Sequence, residues 1–262
     1  MKALILGYGS IGQRHAANLR ALYPDCDQII VDPDKGYKQR EESEMDDFDL
    51  AIIASPTACH LSQMTELARH GVPFLCEKPP CMEAETDEYR GLVNGFEASG
   101  LRCAIAFQYR YHKQARHIQK LAWAGYISFA ARDDLLTRYG PTIGGTMASH
   151  ALDLALWAQG DPGQWEITSD GVLFKGKINH KNGGESLFDL RMDTGPRVSE
   201  VHGRNRMIDL APDDSAYVKM LSAFVTWAGS TGSPTGAGRD SRLATLRDGL
   251  AVMEILSTCK AS

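Results

Sequence analysis

Short apolar runs alternate with segments of helical periodicity over the first 110 residues. The apolar runs cover 3–6, 28–31, 50–54, 73–76 and 103–107. Runs of this length and composition are typical of strands buried on both faces of a parallel sheet. Between them, apolar residues recur at helical spacing around Leu19, Met64 and Val93, and Gly71 and Gly100 mark the ends of the last two helices. This order predicts a doubly wound parallel α/β sheet, a Rossmann domain, over residues 1–110.

The pattern changes over residues 111–262. Strand-like stretches at about 126–136, 166–174, 185–192 and 198–210 are separated by Gly, Asn and Asp. Helical patterns occur near 113–124, 147–159, 214–228 and 240–258. The mixture favours a second, smaller α+β domain with an open, mostly antiparallel sheet. Residues 230–238 are rich in Gly, Ser, Thr and Pro, which predicts a surface loop, with a lid over an active site as the alternative.

Composition narrows the classes of partner. The net charge is −5 and the chain has no long basic run, which argues against nucleic acid. The apolar runs are too short for a membrane span. A small-molecule substrate is therefore expected. The six cysteines form no C-x-x-C pair and no zinc-type cluster, so no metal site is expected and the chain is predicted to be reduced and cytoplasmic.

The segment Gly7-Tyr8-Gly9-Ser10-Ile11-Gly12 matches the pattern G-x-G-x-x-G. It directly follows the first predicted strand and begins a helix, which is the context that this motif requires. The first glycine permits the tight turn, the second lets a pyrophosphate approach the backbone, and the third lets helix and strand pack closely. The helix N-terminus offers unpaired amides and the positive end of a dipole to the phosphates.

Asp32 ends the second predicted strand, twenty residues beyond Gly12. A carboxylate there can accept hydrogen bonds from the adenosine ribose hydroxyls and would repel a 2′-phosphate. The expected cofactor is therefore NAD. The basic residues Arg14 and Lys35 lie nearby and leave NADP as the alternative.

Glu77-Lys78-Pro79, at the end of the fourth predicted strand, resembles a signature of the Gfo/Idh/MocA family, named for glucose-fructose oxidoreductase and inositol dehydrogenase. Other segments are similar to the same family: 9–15, Ala54-Ser55-Pro56-Thr57 with His60, Gln108-Tyr109-Arg110-Tyr111, and His150-Ala151-Leu152-Asp153 after Gly144-Gly145. The resemblance covers nearly the whole chain and is more specific in its first half.

The resemblance implies a role for each of these residues. Lys78 would lie beside the nicotinamide and the reacting oxygen, His150 would be the acid/base, and Pro79 would follow a cis peptide bond. The expected cofactor contacts beyond the glycine-rich segment and Asp32 are Ser55, Pro56, Thr57, His60, Glu77, Lys78 and Gln108. The expected substrate contacts are Tyr109, Arg110, Thr146 and Asp153. The open sheet of the second domain would support a homo-oligomer, a dimer or a tetramer.

The residue types are suited to this chemistry. Oxidation of a secondary alcohol requires a group that takes the hydroxyl proton, and a neutral histidine such as His150 can do so near neutral pH. Lys78 can hydrogen-bond the oxygen and stabilise its alkoxide character. Other roles stay open for several residues. Tyr109 and Arg110 could fix the domain junction, Asp153 could be a first-turn helix acid, and His60 could cap a helix.

The sequence departs from the family at two points. Many members carry an Asp four residues before the histidine, where this chain has Thr146, which can neither hold a negative charge nor act as a base near neutral pH. The S-H-x-x-D form that begins at Ser149 resembles the form found in some branches of the family. The segment between Arg110 and Gly144 is short for the family, which predicts a smaller second domain with either a more open cleft or a reduced substrate site.

The sequence is compatible with three functions. The leading hypothesis is an NAD-dependent oxidoreductase that acts on a secondary alcohol or ketone of a sugar-like substrate, first of all a sugar nucleotide by resemblance. The second is a reductase of a non-sugar imine or carbonyl in a biosynthetic pathway. The third is a cofactor-bound sensor or partner-binding protein without catalysis.

Overall fold

The fold is described from a computed structural model, over residues 1–37, 47–119, 124–131, 147–192, 198–203, 206–230 and 239–261. The chain divides into two compact units. The first unit consists of Met1–Gln108 and Ser215–Leu250, and the second of Tyr109–Asp214 and Ala251–Ser262. Strands and helices are numbered along the described chain.

The first unit is built on a six-stranded sheet. Its strands are β1 (Lys2–Leu6), β2 (Asp27–Val31), β3 (Leu50–Ile53), β4 (Phe74–Cys76), β5 (Cys103–Ile105) and β12 (Ala244–Thr245). The spatial order is β12-β5-β4-β3-β1-β2, with parallel pairing except where β12 joins β5 antiparallel. Every residue of β3, β4 and β5 is buried. The predicted doubly wound parallel sheet is therefore confirmed, and its order reverses between β1 and β3, where ligands bind in such sheets.

Helices connect these strands. They are α1 (Ser10–Leu22), α2 (His60–Arg69) and α3 (Thr86–Ser99), and the chain later returns with α6 (Asp214–Ala228) and α7 (Leu246–Leu256). Short 3-10 helices cover Pro33–Lys35, Thr57–Cys59 and Glu83–Glu85. The predicted stop at Gly100 is confirmed, since it adopts the left-handed conformation with φ of 73° and its amide caps α3.

The second unit contains a seven-stranded sheet. Its strands are β6 (Ala124–Ala131), β7 (Pro162–Ser169), β8 (Leu173–His180), β9 (Glu185–Met192), β10 (Val198–Gly203), β11 (Arg206–Asp209) and β13 (Lys260–Ala261). The order is β11-β10-β6-β9-β8-β7-β13. Pairing is antiparallel except between β6 and β9 and between β7 and β13, so the predicted mostly antiparallel sheet is confirmed.

One face of this sheet is covered by a helix. The second unit also contains α4 (Ala115–Ile118), α5 (Ser149–Gln159) and most of a 3-10 helix at Gln108–Tyr111. Along β9, Ser186, Phe188, Leu190 and Met192 are buried, and Leu187 and Arg191 are exposed. Helix α5, buried over nearly its whole length, contacts β6 and β9. The alternation therefore separates a packed face from a face that points away from the core.

Several predicted elements differ from the observed ones. The stretch 166–174 is not one strand, because a turn at Asp170, whose carboxylate accepts the amides of Val172 and Leu173, divides it into β7 and β8. The stretch 198–210 contains both β10 and β11. The helix expected over 240–258 begins only at Leu246, since Ala244 and Thr245 extend the first sheet beside β5.

The division of the chain also differs from a single boundary at residue 110. The units change at Gln108, close to that boundary, but Ser215–Leu250 groups with the first unit. Within the first unit, the Tyr89 hydroxyl donates to the Leu246 carbonyl at 2.9 Å, and Arg247 donates to the carboxylate of Glu97. These contacts join residues about 150 positions apart, which local sequence patterns do not report.

Within the described residues, none of the helices has the length and apolarity needed to cross a membrane.

Candidate active site

The glycine-rich loop links β1 to α1 and packs against the loop that follows β3. A Cβ atom on Gly7, whose φ is +90°, would lie 2.5 Å from the Ser55 nitrogen. A Cβ atom on Gly12 would lie 2.1 Å from the Gly7 carbonyl oxygen. At Gly9, in contrast, the space within 4 Å of an added Cβ is open. The first and third glycines are therefore required by the chain itself, and the space at the second fits a close-lying phosphate.

The N-terminus of α1 is prepared for an anion. The helix begins at Ser10 with Gly9 as its N-cap, and no side chain caps the first amides. Its first turn contains no acidic residue. The amides and the positive end of the helix dipole therefore remain available to a negatively charged group. Together with the open space at Gly9, this arrangement of Ser10, Ile11 and Gly12 fits the pyrophosphate of a dinucleotide.

Asp32 follows β2 and is hydrogen-bonded to the glycine-rich loop. Its Oδ2 accepts from the Tyr8 amide at 2.6 Å, while Lys35 Nζ donates to the Tyr8 carbonyl at 2.6 Å. Asp32 is half-buried and Lys35 is exposed. Asp32 and Lys35 thus hold the amide and the carbonyl of Tyr8, and Asp32 places a carboxylate next to the loop. Arg14, the other nearby cation, stacks on the Tyr217 ring at 4.9 Å.

His60 braces two loops of the first unit. It is buried, its Nε2 lies 2.9 Å from the Ser55 carbonyl oxygen, and its Nδ1 lies 2.9 Å from the Pro79 carbonyl oxygen. Burial lowers the pKa of His60, and the contacts with the two carbonyls oppose that effect in part. The alternative that His60 caps a helix is wrong, because Cys59 is the N-cap of α2 and no side chain caps the helix. A cofactor contact of His60 stays a prediction.

The Glu77-Lys78-Pro79 turn follows β4. The Glu77 amide donates to the Ile53 carbonyl at 2.8 Å, and the Lys78–Pro79 bond is cis, as the resemblance implied. Glu77 is buried, whereas Lys78 is half-buried. Ser55, Pro56 and Thr57 follow the neighbouring strand β3. Because β3 and β4 are parallel neighbours, these residues share the carboxyl edge of the sheet with Lys78.

His15 lies at the end of segment 9–15, which resembles the family, and the sequence predicts no role for it. His15 is fully buried on α1, and its Nε2 lies 2.8 Å from Glu77 Oε1. The polar residue on the otherwise small and apolar buried side of α1, beside Gly12, Ala16 and Leu19, was the available signal. A buried histidine requires a partner, and here that partner belongs to the E-K-P turn.

In the second unit, Arg110 and Asp153 bind each other. Arg110 Nε lies 3.0 Å from each carboxylate oxygen of Asp153, and Nη2 lies 2.5 Å from Oδ1. Both side chains are buried, and the guanidinium lies 6.0 Å from the Trp157 ring centroid. Asp153 is not a first-turn helix acid, since α5 begins at Ser149. A substrate contact of either residue stays a prediction. The observed pair fastens the 3-10 helix at Gln108–Tyr111 to α5.

His150 lies on the same helix. It is buried, and its ring makes an edge-to-face contact with Tyr109 at a centroid distance of 4.9 Å. The preceding Ser149 is fully buried, and its hydroxyl has no hydrogen-bond partner among the described residues. A buried hydroxyl without a partner is unfavourable, and a polar ligand would relieve that penalty. Ser149 is therefore a candidate that sequence reasoning passed over, although it belongs to the S-H-x-x-D segment.

The remaining predicted residues are placed as follows. Gln108 is buried and begins the 3-10 helix after β5. Thr146, Gly144, Gly145 and residues 231–238 of the predicted loop or lid lie outside the described residues. The described part of the chain contains no group of His, Cys, Asp or Glu that could hold a metal ion. All six cysteines are free, and burial raises the pKa of the Cys76 and Cys103 thiols.

Comparison with known proteins agrees with this geometry. Residues 1–107 match the model of the GFO_IDH_MocA family, described as an oxidoreductase family with an NAD-binding Rossmann fold. No curated protein matches the chain in sequence.

Three solved structures share the fold. A myo-inositol dehydrogenase from Corynebacterium glutamicum is 19% identical, with a TM-score of 0.77 over 99% of this chain and 95% of that chain. The UDP-N-acetylglucosamine 3-dehydrogenase GnnA from Acidithiobacillus ferrooxidans is 15% identical, with a TM-score of 0.80 over 99% and 96%. The WlbA (WbpB) dehydrogenase from Thermus thermophilus, solved with NAD and UDP-GlcNAcA, is 15% identical, with a TM-score of 0.74 over 100% and 96%.

Proposed function

Because residues 1–107 match the model of the Gfo/Idh/MocA oxidoreductase family, with its NAD-binding Rossmann fold, we propose that this protein is an NAD-dependent dehydrogenase or reductase. Its substrate is a secondary alcohol or ketone of a sugar-like molecule. The glycine-rich loop carries the proposal. Its open space at Gly9 and the uncapped N-terminus of α1 fit a dinucleotide pyrophosphate. Asp32 favours NAD over NADP, since its carboxylate lies beside that loop.

Each catalytic group has one task in this proposal. The nicotinamide ring, when bound, supplies the hydride chemistry. Lys78 donates a hydrogen bond to the reacting oxygen and stabilises the negative charge that develops there. His150 takes the hydroxyl proton in the oxidative direction and returns it in the reductive direction. Arg110 and Asp153 hold the helix of His150, and Tyr109 limits the rotation of its ring.

A sugar nucleotide is the proposed substrate class. The support is the S-H-x-x-D segment at Ser149 and the fold shared with a UDP-N-acetylglucosamine 3-dehydrogenase and with a dehydrogenase that binds UDP-GlcNAcA. The Ser149 hydroxyl, which has no hydrogen-bond partner within the described part of the chain, adds a polar group next to His150 for a sugar hydroxyl.

The test is a substrate panel followed through the absorbance of NADH. The panel contains UDP-sugars and other nucleotide sugars with their 3-keto and 4-keto forms, free hexoses, inositols and several cyclic imines. Turnover of a nucleotide sugar is the expected result, and turnover of another sugar or an inositol keeps the reaction type but changes the substrate class. Turnover of an imine alone would favour the non-sugar reductase. NADH binding without turnover on any compound would favour a cofactor-bound sensor.

We further propose that the protein is a cytoplasmic homo-oligomer. Free cysteines, three of them buried, support a reducing compartment. The outward face of the second sheet supports an interface, because Leu187 and Met207 are 37% and 55% exposed there. Analytical ultracentrifugation of the wild type and of Leu187→Glu tests this proposal. The wild type should sediment as an oligomer and the variant as a monomer. A monomeric wild type contradicts it.

A further inference from the structure

Lys78 lies between two residues that are each held by a buried histidine. On one side, Glu77 is bound by His15 of α1. On the other side, the Pro79 carbonyl is bound by His60 of α2. Both histidines are at most 1% exposed. Neither histidine has a role in the proposed reaction, although both lie in segments that resemble the family.

His15 contacts Glu77 through a hydrogen bond, and its ring also lies edge-to-face to Tyr217 at a centroid distance of 6.1 Å. Its Nε2 lies 2.8 Å from Glu77 Oε1, and its Nδ1 is buried without a hydrogen-bond partner among the described residues. Because the carboxylate accepts, Nε2 is the nitrogen that carries the donated proton. Glu77 is also held by its amide, which donates to Ile53 of β3. The residue before Lys78 is therefore fixed through its backbone and its side chain.

The contact of His60 with Pro79 involves the only polar backbone group that a proline has. Proline has no N–H, so the carbonyl is the one polar backbone group through which Pro79 can be held. The other partner of His60, Ser55, is anchored separately, because its hydroxyl donates to Gln63 Oε1 at 2.6 Å. A neutral imidazole donates through one nitrogen. The proton on Nδ1 would therefore fix the residue after Lys78, whereas a proton on Nε2 would reinforce a loop that already has an anchor.

We propose that His15 and His60 are positioning residues for Lys78, His15 through Glu77 and His60 through an Nδ1–H bond to the Pro79 carbonyl. The pair links the catalytic lysine to α1 and α2, the helices that follow the glycine-rich loop and the Ser55 loop. The proposal rests on the proposed function in its claim that Lys78 takes part in catalysis. The geometric claim, that the two histidines fix Lys78, stands without it.

Two matched substitutions at each position separate positioning from packing. In His60→Asn the amide nitrogen replaces Nδ1 and can still donate to Pro79, whereas in His60→Gln it replaces Nε2 and can donate only to Ser55. In His15→Gln the amide nitrogen replaces Nε2 and can still donate to Glu77, whereas His15→Leu has no donor. His70→Asn, at the opposite end of α2, is the control.

The expected readout is a difference in kcat between the two variants at each position. We expect kcat to fall by about tenfold or more in His60→Gln and His15→Leu, because small misplacement of a catalytic group is costly. His60→Asn, His15→Gln and His70→Asn should stay within about threefold of the wild type. The NADH dissociation constant and the unfolding midpoint should not separate His60→Asn from His60→Gln. Equal loss of kcat in these two variants, or greater loss in His60→Asn, overturns the role of His60.

A second readout needs no substrate. Limited acetylation, followed by mass spectrometry, gives the labelling rate of Lys78 relative to the exposed Lys181. Lys78 should be labelled faster in His60→Gln and His15→Leu, and at the wild-type rate in His60→Asn and His15→Gln. Equal rates in all variants overturn the proposal. If the rates differ as expected but the substrate panel is silent, the positioning stands and the proposed function fails.

Discussion

The two units hold their polar side chains in different ways. In the first unit, Asp32, Ser55 and Lys78 follow strands of one parallel sheet, so the topology brings them to the same edge. In the second unit, Arg110 and Asp153 are 43 residues apart and hold each other. In a parallel sheet the strand order alone brings such residues to one edge, whereas the polar groups beside the second sheet are brought together by a specific side-chain pair.

Removal of one partner of the Arg110–Asp153 pair should have the greatest effect on stability. Asp153→Asn or Arg110→Met should lower the free energy of unfolding by about 3–5 kcal/mol, because the buried charge that remains loses this ion pair. Urea unfolding measures this. Arg191→Gln, which breaks the half-exposed pair with Asp189 on β9, is the control in the same unit and should change stability by less than about 1 kcal/mol.

The double variant Arg110→Met/Asp153→Leu tests whether the lost stability comes from a buried charge that lacks its counter-charge. It removes both charges, so much of the lost stability should return. A single substitution that changes stability no more than Arg191→Gln would show that the pair does not hold α5.

A smaller effect is expected in the glycine-rich loop, where two substitutions should separate folding from cofactor binding. Gly12→Ala places a Cβ 2.1 Å from the Gly7 carbonyl, so the unfolding free energy should fall by about 1–3 kcal/mol. Gly9→Ala meets open space and should fold normally. Its NADH affinity should fall by about tenfold or more, because the methyl group occupies the space assigned to the phosphate. Thermal unfolding and NADH fluorescence titration measure the two effects. Unchanged NADH affinity in Gly9→Ala would refute this assignment.

The smallest effect is a pH dependence shared by both units. Burial lowers the pKa of His60 in the first unit and of His112 and His180 in the second. Each binds a proton more readily when unfolded, so stability should fall as the pH drops through the ordinary histidine value of 6.5 toward the lowered folded values. His112 and His180 are buried like His60 and should contribute in the same direction.

Unfolding midpoints at several pH values, for the wild type and for His60→Asn, measure this dependence. The variant should lose part of the slope below the ordinary histidine pKa. An identical slope in both proteins would show that His60 does not titrate as its burial requires.

Much of the first unit could be predicted from sequence. Buried strands, the glycine-rich loop and the stop at Gly100 all depend on residues near one another in the chain, and each was found where expected. The return of Ser215–Leu250 to that unit could not be predicted, because contacts such as Arg247 to Glu97 join distant residues. The two-residue strand at Ala244 is likewise defined by its partner β5 and not by a pattern of its own.

The candidate site shows the same division. The residues of Gly7–Gly12, Asp32 and the cis Lys78–Pro79 bond were anticipated from motifs. The mutual pairing of Arg110 and Asp153 was not, since a motif gives residue types and not the partners that satisfy them. The turn at Asp170 carried a readable signal, an Asp-Gly pair within the stretch taken as one strand.

The most direct test of the central claim is a comparison of NADH binding and turnover in Lys78→Ala, measured on one preparation with the substrate found by the panel. Lys181→Ala, which removes an exposed lysine, is the control. The account predicts that NADH affinity stays close to that of the wild type, while kcat falls by about a hundredfold or more, as it does when a donor to the developing oxyanion is lost. Wild-type kcat in Lys78→Ala would contradict the proposed mechanism.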